Sequence, residues 1–270
     1  QNNFNDTLSQ TFQIINTTAQ TLPYTENFST FSQCGTQNNC GATVCSLTNG
    51  WYNAQNFVDD DFDFRTNSGG TPSQSTGPTG DHTTGSGRYL YIEASGTCTN
   101  REGYVLTPCF DLTNSNLPEA SIWYHMLGTA MGELHVDVLA DGEMFLDVVS
   151  PIIGDQGANW LELKIDLANF VGKTVNIRFR GITGGSWSSD IALDDFNIME
   201  VSSAPSADFS SSETLTCPLK PILLTDLSQP AATAWNWSIT PSTFSFVNVH
   251  VITYKGDVNG ASVQELLDEG

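Results

Sequence analysis

The chain has 270 residues, and its 9 Lys and Arg against 30 Asp and Glu give a formal net charge of −21. This excess of negative charge argues against nucleic acid as a partner, because the phosphates would be repelled, and it disfavours an anionic membrane surface. A hydrophobic fraction of 39%, with 15 Phe, 7 Tyr and 6 Trp, is sufficient for a packed core.

The apolar runs of the sequence are all shorter than the roughly 18 residues that cross a bilayer, so we predict no membrane insertion. The polar start at Gln1 is typical of a mature product or an excised fragment. Six cysteines without C-x-x-C or zinc-ligand spacing predict disulfides in an oxidising, extracellular compartment. Cys98 and Cys109 flank a predicted hairpin, and their pairing is the simplest choice, although the sequence leaves the connectivity open.

The N-terminal part of the chain divides into a polar segment and the start of a β-rich region. Residues 1–20 read as the end of an upstream region or as an edge strand, with weak alternation at Thr11–Ile15. A strand is expected to start near Gly50–Asn53. Residues 65–87 are rich in Gly, Ser, Thr and Pro, which predicts a long loop of the kind that often carries function.

Alternating apolar and polar residues then predict a series of strands. They cover residues 88–94, 103–107, 120–126, 133–140, 143–149, 160–167, 174–181 and 190–200. Asp141-Gly142 between two alternating runs predicts a tight hairpin, and the only helical candidate is a turn at 167–171. Many short strands separated by turns predict an all-β protein, either a β-sandwich or a jelly roll.

A smaller second unit is predicted after a linker at residues 202–206. It would occupy residues 207–270, with strands near 207–210, 222–228 and 234–239, the last of which carries a Trp. These strands also predict a sandwich.

Several motifs occur in an order and at a spacing that resemble one known family. They are Glu26-Asn27-Phe28, Gly50-Trp51, Asp60-Asp61-Phe62-Asp63-Phe64, Gly77-Pro78-Thr79-Gly80-Asp81-His82-Thr83, Tyr89-Leu90-Tyr91, Trp123-Tyr124-His125-Met126-Leu127-Gly128, Gly132-Glu133-Leu134, Gly157-Ala158-Asn159-Trp160 and Ile191-Ala192-Leu193-Asp194-Asp195. Together they resemble the MAM domain (meprin, A5/neuropilin, receptor tyrosine phosphatase mu). The resemblance implies a jelly-roll domain over residues 21–201 and a role in extracellular adhesion, or as an accessory to a secreted catalytic domain.

Residues 207–248 resemble the front half of a PKD (polycystic kidney disease) domain, which implies a smaller immunoglobulin-like sandwich. The sequence departs from that pattern after Val247, so residues 249–270 are either a truncated or an atypical end. The combination of the two modules is similar to that of large secreted bacterial proteins, which are often proteases.

The MAM resemblance also implies a cation between the start of the first strand, the loop at Asp81 and the last strand. Its ligands would be Glu26, Asp81 and Asp194, with Asp63 or Asp195 as less certain additions. Calcium takes six to eight hard oxygen ligands, and sodium is the alternative. Asp194 and Asp195 point to opposite faces of a strand, so we expect one of them to point inward. The alternative is that these carboxylates lie at the surface and accept hydrogen bonds from backbone N–H groups in turns.

The remaining polar residues carry no pattern typical of an enzyme. The sequence contains neither H-E-x-x-H nor G-x-S-x-G. Spacing places Glu133 with Asp137, and Glu143 with Asp147, on common faces of a hairpin, and we interpret them as the solvent face of an exposed sheet. Asp59 and Asp60 are interpreted as a solvated acidic turn, His82 as a structural residue and His125 as a core residue.

The sequence therefore predicts a non-catalytic, secreted adhesion or accessory module that binds an extracellular protein or another polymer and belongs to a larger secreted protein such as a protease. The alternative is a carbohydrate-binding module of a secreted glycan-degrading enzyme. Trp51, Trp123 and Trp160 are expected in the core. Trp187, in the Gly184–Ser189 loop, is the candidate for contact with a ligand. The ligand, the parent protein and the oligomeric state are left open.

Overall fold

The computed structural model describes residues 18–34, 40, 45–201, 209–211 and 224–226. The chain divides into two compact units, residues 1–201 and residues 202–270. In the second unit, the described residues form one antiparallel pair of strands, Phe209–Ser211 and Leu224–Asp226. The predicted strands at 11–15 and 234–239, the linker at 202–206 and most of the PKD-like region lie outside the described residues.

The described residues of the first unit form strands and one 3₁₀ turn, Ala168–Phe170. In chain order the strands are β1 (Tyr24–Glu26), β2 (Tyr52–Asn53), β3 (Arg65–Asn67), β4 (Tyr89–Ile92), β5 (Glu102–Leu106), β6 (Phe110–Asp111), β7 (Pro118–Met126), β8 (Glu133–Ala140), β9 (Glu143–Phe145), β10 (Ile152–Ile153), β11 (Leu161–Asp166), β12 (Thr174–Ile182) and β13 (Ile191–Glu200).

These strands form two antiparallel sheets. The six-stranded sheet has the order β11-β7-β13-β4-β3, and β1 also pairs with β13. The seven-stranded sheet has the order β10-β8-β12-β5-β2, with β6 beside β12 and β9 beside β8. The predicted all-β sandwich of the jelly-roll type is confirmed.

The main core lies between the two sheets because most strands turn their apolar residues to one face, and Tyr89, Tyr91 and Ala192 form a separate buried cluster. In β12, Val175, Ile177 and Phe179 are buried, whereas the residues between them lie on the outer face. Trp51 is buried in this core, with its ring centroid 5.2 Å from that of Phe196 and 4.9 Å from that of Phe28. Burial of one such large apolar side chain stabilises the fold by roughly 1.5–3 kcal/mol.

Two predicted element boundaries are wrong. The segment at 65–87 begins with a strand, since β3 pairs with β4. Its polar composition hid this strand because Thr66 and Asn67 are buried through side-chain hydrogen bonds, including one from Asn67 Nδ2 to the Tyr89 hydroxyl at 3.0 Å. The strand predicted at 143–149 ends at Phe145, before Asp147 adopts a positive φ of 51°.

The disulfides differ from the simplest prediction. Cys34 pairs with Cys45, and Cys40 pairs with Cys98. Among the described residues Cys109 has no disulfide partner, and the predicted pairing of Cys98 with Cys109 is wrong. The partner of Cys98 lies 58 residues earlier in the chain, a proximity that strand alternation does not reveal. Cys217 lies outside the described residues.

The described part of the chain has no helix with the length and apolar character needed to cross a membrane.

Candidate metal centre

Three segments that are distant in sequence meet at one end of the six-stranded sheet. Glu26 at the end of β1 lies opposite Phe196 of β13. The loop that follows Gly80 reaches the same strand, where the His82 backbone N–H donates to Asp194 Oδ2 at 2.8 Å. The first strand, the loop and the last strand therefore converge, and we call this region the acidic junction, defined by Glu26, Asp81, Asp194 and Asp195.

Asp194 is the most deeply buried carboxylate of the acidic junction, 1% exposed, and lies opposite Trp123 of β7. Its Oδ1 accepts a hydrogen bond from the Asp195 backbone N–H at 2.8 Å. Burial raises the pKa of Asp194 to about 7, and the negative charges of Asp195 and Asp81 act in the same direction against the hydrogen bonds. A buried carboxylate with acidic neighbours is costly to ionise, so a bound cation would favour its charged form.

Asp81 organises the loop that covers Asp194. Its carboxylate accepts hydrogen bonds from the Thr84 backbone N–H at 3.0 Å, from the Thr84 hydroxyl at 2.9 Å and from the Gly87 backbone N–H. Burial would raise the pKa of Asp81, but these hydrogen bonds outweigh burial and hold it below its ordinary value. A Cβ atom on Gly87 would lie 2.8 Å from Asp81 Oδ2 and 2.9 Å from Ser29 Oγ, so glycine lets the loop close against the segment that follows β1.

Glu26 is buried at the end of β1 and holds the turn that comes after it. Its Oε1 accepts from the Phe28 backbone N–H at 2.9 Å, and its Oε2 accepts from Asn49 Nδ2 at 2.8 Å. Phe28 has a positive φ of 54° and a fully buried ring. Glu26 therefore already supports the backbone at the point where a cation is predicted.

Asp195 contacts the same residue as Asp194, namely His82, so the prediction that alternation sends the two carboxylates to opposite faces is wrong. The register of β13 shifts after Asp194, and Asp195 adopts a positive φ of 44°. Its Oδ2 contacts His82 Nδ1 at 2.7 Å and accepts a hydrogen bond from the Thr83 hydroxyl. The His82 ring stacks on Trp123 with their centroids 3.8 Å apart, so the structure gives His82 the structural role that was predicted.

Asp63 is not part of the acidic junction. Its carboxylate accepts a hydrogen bond from the Cys45 backbone N–H, and burial raises its pKa against that bond and against the charge of Arg65. The residues that act on Asp63 are thus different from those that act on Asp194.

The donor chemistry of the acidic junction, which consists of carboxylate oxygens, fits a hard cation such as calcium. Within the described ranges, no three His, Cys, Asp or Glu side chains are arranged as a set that could hold a metal ion. The carboxylates of the junction are instead held by N–H and O–H donors of the protein. A cation bound here would replace some of these hydrogen bonds.

An open groove of about 590 Å³ lies beside the acidic junction on the outer face of the six-stranded sheet. Three acids, Glu26, Glu162 and Asp195, contribute to its wall, together with Thr25, Asn27, His82, Thr83, Ser121, Trp123, Phe196 and Asn197. Trp123 is only partly buried, so the expectation that it belongs to the core is wrong: it sits on the outer face of β7 under the His82 ring. Sequence reasoning missed Glu162. This residue lies beside Trp123 only because β11 pairs with β7.

Two interpretations of exposed acids are also wrong. Asp59 is exposed, but Asp60 is only 7% exposed, and its Oδ2 accepts from the Tyr104 backbone N–H at 2.7 Å. Burial raises the pKa of Asp60 to about 7. Asp137, expected on a solvent face, is fully buried on the seven-stranded sheet, where Arg178 Nη2 and Arg180 Nε lie 2.7 and 3.2 Å from its Oδ2.

Trp187 is 48% exposed in its loop. Trp51 is buried in the core as predicted, and Trp160 is partly buried, with Nε1 donating to the Gly80 carbonyl at 3.3 Å. Trp187 is therefore more exposed than Trp51 and Trp160, and its ring surface is available for contact with a ligand. His125 is buried as predicted, with its Nε2 3.2 Å from the Ala158 carbonyl oxygen.

The sequence pattern of the family described as "MAM domain, meprin/A5/mu" matches residues 36–203, more than half of the chain. Neuropilin-1a of Danio rerio is 31% identical over 161 residues, which covers 56% of this chain and 17% of that protein. MAM domain-containing protein 2 of Homo sapiens is 34% identical over 128 residues, which covers 47% of this chain and 18% of that protein. The chain thus spans less than a fifth of the length of these two relatives.

Among solved structures, the K1 cleaved adhesin domain of Lys-gingipain from Porphyromonas gingivalis W83 aligns at a TM-score of 0.40 and 17% identity, covering 67% of this chain and 99% of that domain. The protein TmCBM61 in complex with β-1,4-galactotriose aligns at a TM-score of 0.37 and 10% identity, covering 56% of this chain and 88% of that one. No function is transferred from these structures.

Proposed function

The chain belongs to the MAM domain family, and from this membership we propose that residues 21–201 act as a non-catalytic extracellular adhesion or accessory module stabilised by a structural cation. The single observation that carries the proposal is the family match over residues 36–203. The disulfides Cys34–Cys45 and Cys40–Cys98 support an extracellular or cell-surface location.

We propose that the cation is calcium, with sodium as the alternative, and that Glu26, Asp81 and Asp194 are its ligands. The strongest support is Asp194, which is buried next to other acids and whose pKa is raised by that burial to about 7. Asp195 is the fourth candidate, since it follows Asp194 in the same strand. Asp63 receives less support because its neighbours are different. A cation at this position would neutralise Asp194 and join both ends of the sandwich to the loop at Asp81.

Thermal unfolding with and without a chelator tests this cation. Binding to the folded state alone stabilises it, so we expect a chelator to lower the Tm of the full chain by several degrees. Asp194→Asn should reduce this response, whereas Asp59→Asn, which changes an exposed acid outside the junction, should keep it. An unchanged Tm, together with no metal in elemental analysis of the untreated protein, would remove the cation from the proposal.

We propose further that the acidic groove beside the junction contacts a basic surface of an extracellular protein. Glu26, Glu162 and Asp195 give the groove negative charge, and the chain as a whole carries −21. Charge complementarity of this kind steers association and weakens as salt rises. In pull-downs from an extracellular fraction, Glu162→Lys should lose salt-sensitive partners that the wild type retains. Glu143→Lys, at an exposed position on the other sheet, is the matched control, and equal capture by both variants would count against the groove.

Attachment to a larger protein is the second part of the proposal. The matched stretch is a small fraction of each relative, which supports a module within a longer chain. A secreted bacterial protease as the parent, and the PKD-like identity of residues 207–270, stay predictions. The relatives described above come from animals.

A carbohydrate-binding module is the alternative, and the exposure of Trp187 favours it. Exposed aromatic rings provide apolar faces for contact with a ligand. A glycan array would separate the two functions: specific hits that Trp187→Ala abolishes would support carbohydrate binding. An array without hits, combined with a protein captured in the pull-down, would support the protein-binding module.

The absence of catalysis is a proposal as well. Its support is that Asp137, one of the acids that spacing pairs on the predicted hairpin, accepts hydrogen bonds from two arginines, which hold it as a structural anion rather than as a proton donor. Hydrolysis of peptide or glycan substrates by the purified full chain, retained through several purification steps, would contradict it.

A further inference from the structure

A second pair of carboxylates lies in the six-stranded sheet, on neighbouring strands. Glu93 follows the last residue of β4, and Asp190 precedes the first residue of β13. These strands are antiparallel with Ile92 opposite Ile191, so the register continues to place Glu93 opposite Asp190. The Ala94 backbone N–H donates to Asp190 Oδ1 at 3.0 Å, which confirms that the two ends are in contact.

Both carboxylates are buried, and each retains an oxygen without a partner. Glu93 is 1% exposed and Asp190 is fully buried. The Ser95 backbone N–H donates to Glu93 Oε1 at 3.1 Å. Glu93 Oε2 and Asp190 Oδ2, in contrast, are buried and accept no hydrogen bond. A buried charge without a partner is expensive, and like charges directly opposite one another in a sheet destabilise it.

The positive charge available nearby is shared. Arg65 of β3 is buried, and Asp63 and Glu93 both act on its guanidinium. After burial, the strongest influence on Asp190 is the negative charge of Glu93. The Arg65 guanidinium therefore interacts with both Asp63 and Glu93. Asp190, which is fully buried, has Glu93 as its main charged neighbour.

The loop at residues 71–76 brings further oxygen atoms to the same place. Ser73 Oγ lies 3.5 Å from Glu93 Oε1, and the Thr71 side chain acts to lower the pKa of Asp190 against burial. Thr76 Oγ1 accepts from the Asp190 backbone N–H at 3.0 Å. Carboxylates combined with neutral oxygen atoms are the ligands that calcium prefers in proteins.

We propose that Glu93 Oε2 and Asp190 Oδ2 bind a calcium ion in a second site, which joins the end of β4 to the start of β13 under the loop at 71–76. The two carboxylates together carry the charge that a divalent cation neutralises. The site rests on the two unpartnered oxygens and is independent of the acidic junction. The competing state, in which the pair shares one proton and binds no metal, is an outcome of the test.

Calorimetric titration of the metal-stripped full chain with CaCl₂ tests the site. Glu93→Gln and Asp190→Asn keep the shape of each side chain and should each remove one binding event that the wild type shows, or weaken it by at least about 10-fold. Asp194→Asn is the matched control in the acidic junction and should keep this event. If Glu93→Gln and Asp190→Asn bind calcium as the wild type does, the proposal is wrong, whatever Asp194→Asn shows about the junction.

A second measurement covers the case in which these variants do not fold. Crystals of the wild-type chain grown with calcium should give an anomalous scattering peak between Glu93 and Asp190. The absence of a peak, with the two carboxylate oxygens at hydrogen-bond distance, would overturn the site and identify a shared proton instead.

Discussion

Asp137 in the seven-stranded sheet and Asp190 beside the six-stranded sheet are both fully buried, yet the structure treats them differently. Burial alone would raise the pKa of Asp137, but hydrogen bonds from Arg180, from the Asp147 backbone N–H and from Arg178 hold it below its ordinary value. Burial raises the pKa of Asp190 to about 7, and the charge of Glu93 adds to that effect. Burial makes each carboxylate costly to ionise, and the charge of the neighbouring groups decides whether that cost is offset.

The comparison extends to the two sheets. The chain has 9 Lys and Arg for 30 Asp and Glu, and two of these basic residues, Arg178 and Arg180, form ion pairs with Asp137. Asp194 and Asp190 in the six-stranded sheet have acids as the neighbours that raise their pKa. Asp137 is thus neutralised by arginines of its own sheet, whereas Asp194 and Asp190 would take their cations from solution under the two cation proposals.

The largest effect is expected from Asp137→Asn, which removes the acid that arginines of its own sheet neutralise. Removing the carboxylate takes the counter-charge from Arg178 and leaves Arg180 with Asp147 alone, and breaking a buried ion pair typically costs about 3 kcal/mol or more. Urea denaturation should show this loss in the free energy of unfolding. Asp61→Asn is the matched control: its partner Arg101 is exposed, so the loss should stay below about 1 kcal/mol. Equal losses in both variants would contradict the distinction between buried and exposed pairs.

A smaller effect is expected from Asp60→Asn, and it should depend on pH. The pKa of Asp60 is about 7 in the folded state because of burial and about 4 in an unfolded chain. The folded state therefore holds a proton that the unfolded state releases, and the wild type loses stability as pH rises from about 4 to about 7. Asparagine has no such proton, so the variant should gain up to about 1.4 kcal/mol per pH unit relative to the wild type within this window.

Urea denaturation at a series of pH values measures this difference directly. Asp59→Asn changes the exposed neighbour and should follow the wild-type profile. If the difference in stability between Asp60→Asn and the wild type is independent of pH, Asp60 is ionised throughout this range and burial does not raise its pKa.

The smallest effect concerns the geometry of the arginines. Arg180 reaches Asp137 Oδ2 through Nε at 3.2 Å and Asp147 Oδ1 through Nη2 at 2.9 Å. Lysine is a point charge that cannot make both contacts as the guanidinium fork does, so Arg180→Lys should cost about 1 kcal/mol. A loss as large as that of Asp137→Asn would mean that Arg180 alone neutralises the aspartate.

Strand alternation in the sequence predicted most of the strands. The D-H-T and L-D-D motifs predicted that Asp81 and Asp194 lie close together. The burial of Asp137 could not be predicted, because the outer position of a strand implies solvent unless the neighbouring strand is known to supply arginines. That neighbour, β12, is fixed only by the order of strands in the sheet.

The pair of Glu93 and Asp190 was missed for the same reason. The two residues are 97 positions apart, and only the register of β4 with β13 brings them together. The disulfide between Cys40 and Cys98 likewise joins residues that no local pattern brings together. Local patterns predict elements, whereas partners across strands need the topology.

The most direct test of the central claim is the free energy of unfolding of the full chain at pH 7, measured by urea denaturation over a range of calcium concentrations. Each cation bound only by the folded state adds about 1.4 kcal/mol per tenfold increase in calcium above its dissociation constant. With one cation at the acidic junction and one at Glu93 and Asp190, the wild type should gain about 2.8 kcal/mol per tenfold, and Asp137→Asn should show the same slope from a lower start. A wild-type stability that does not change with calcium would contradict the account.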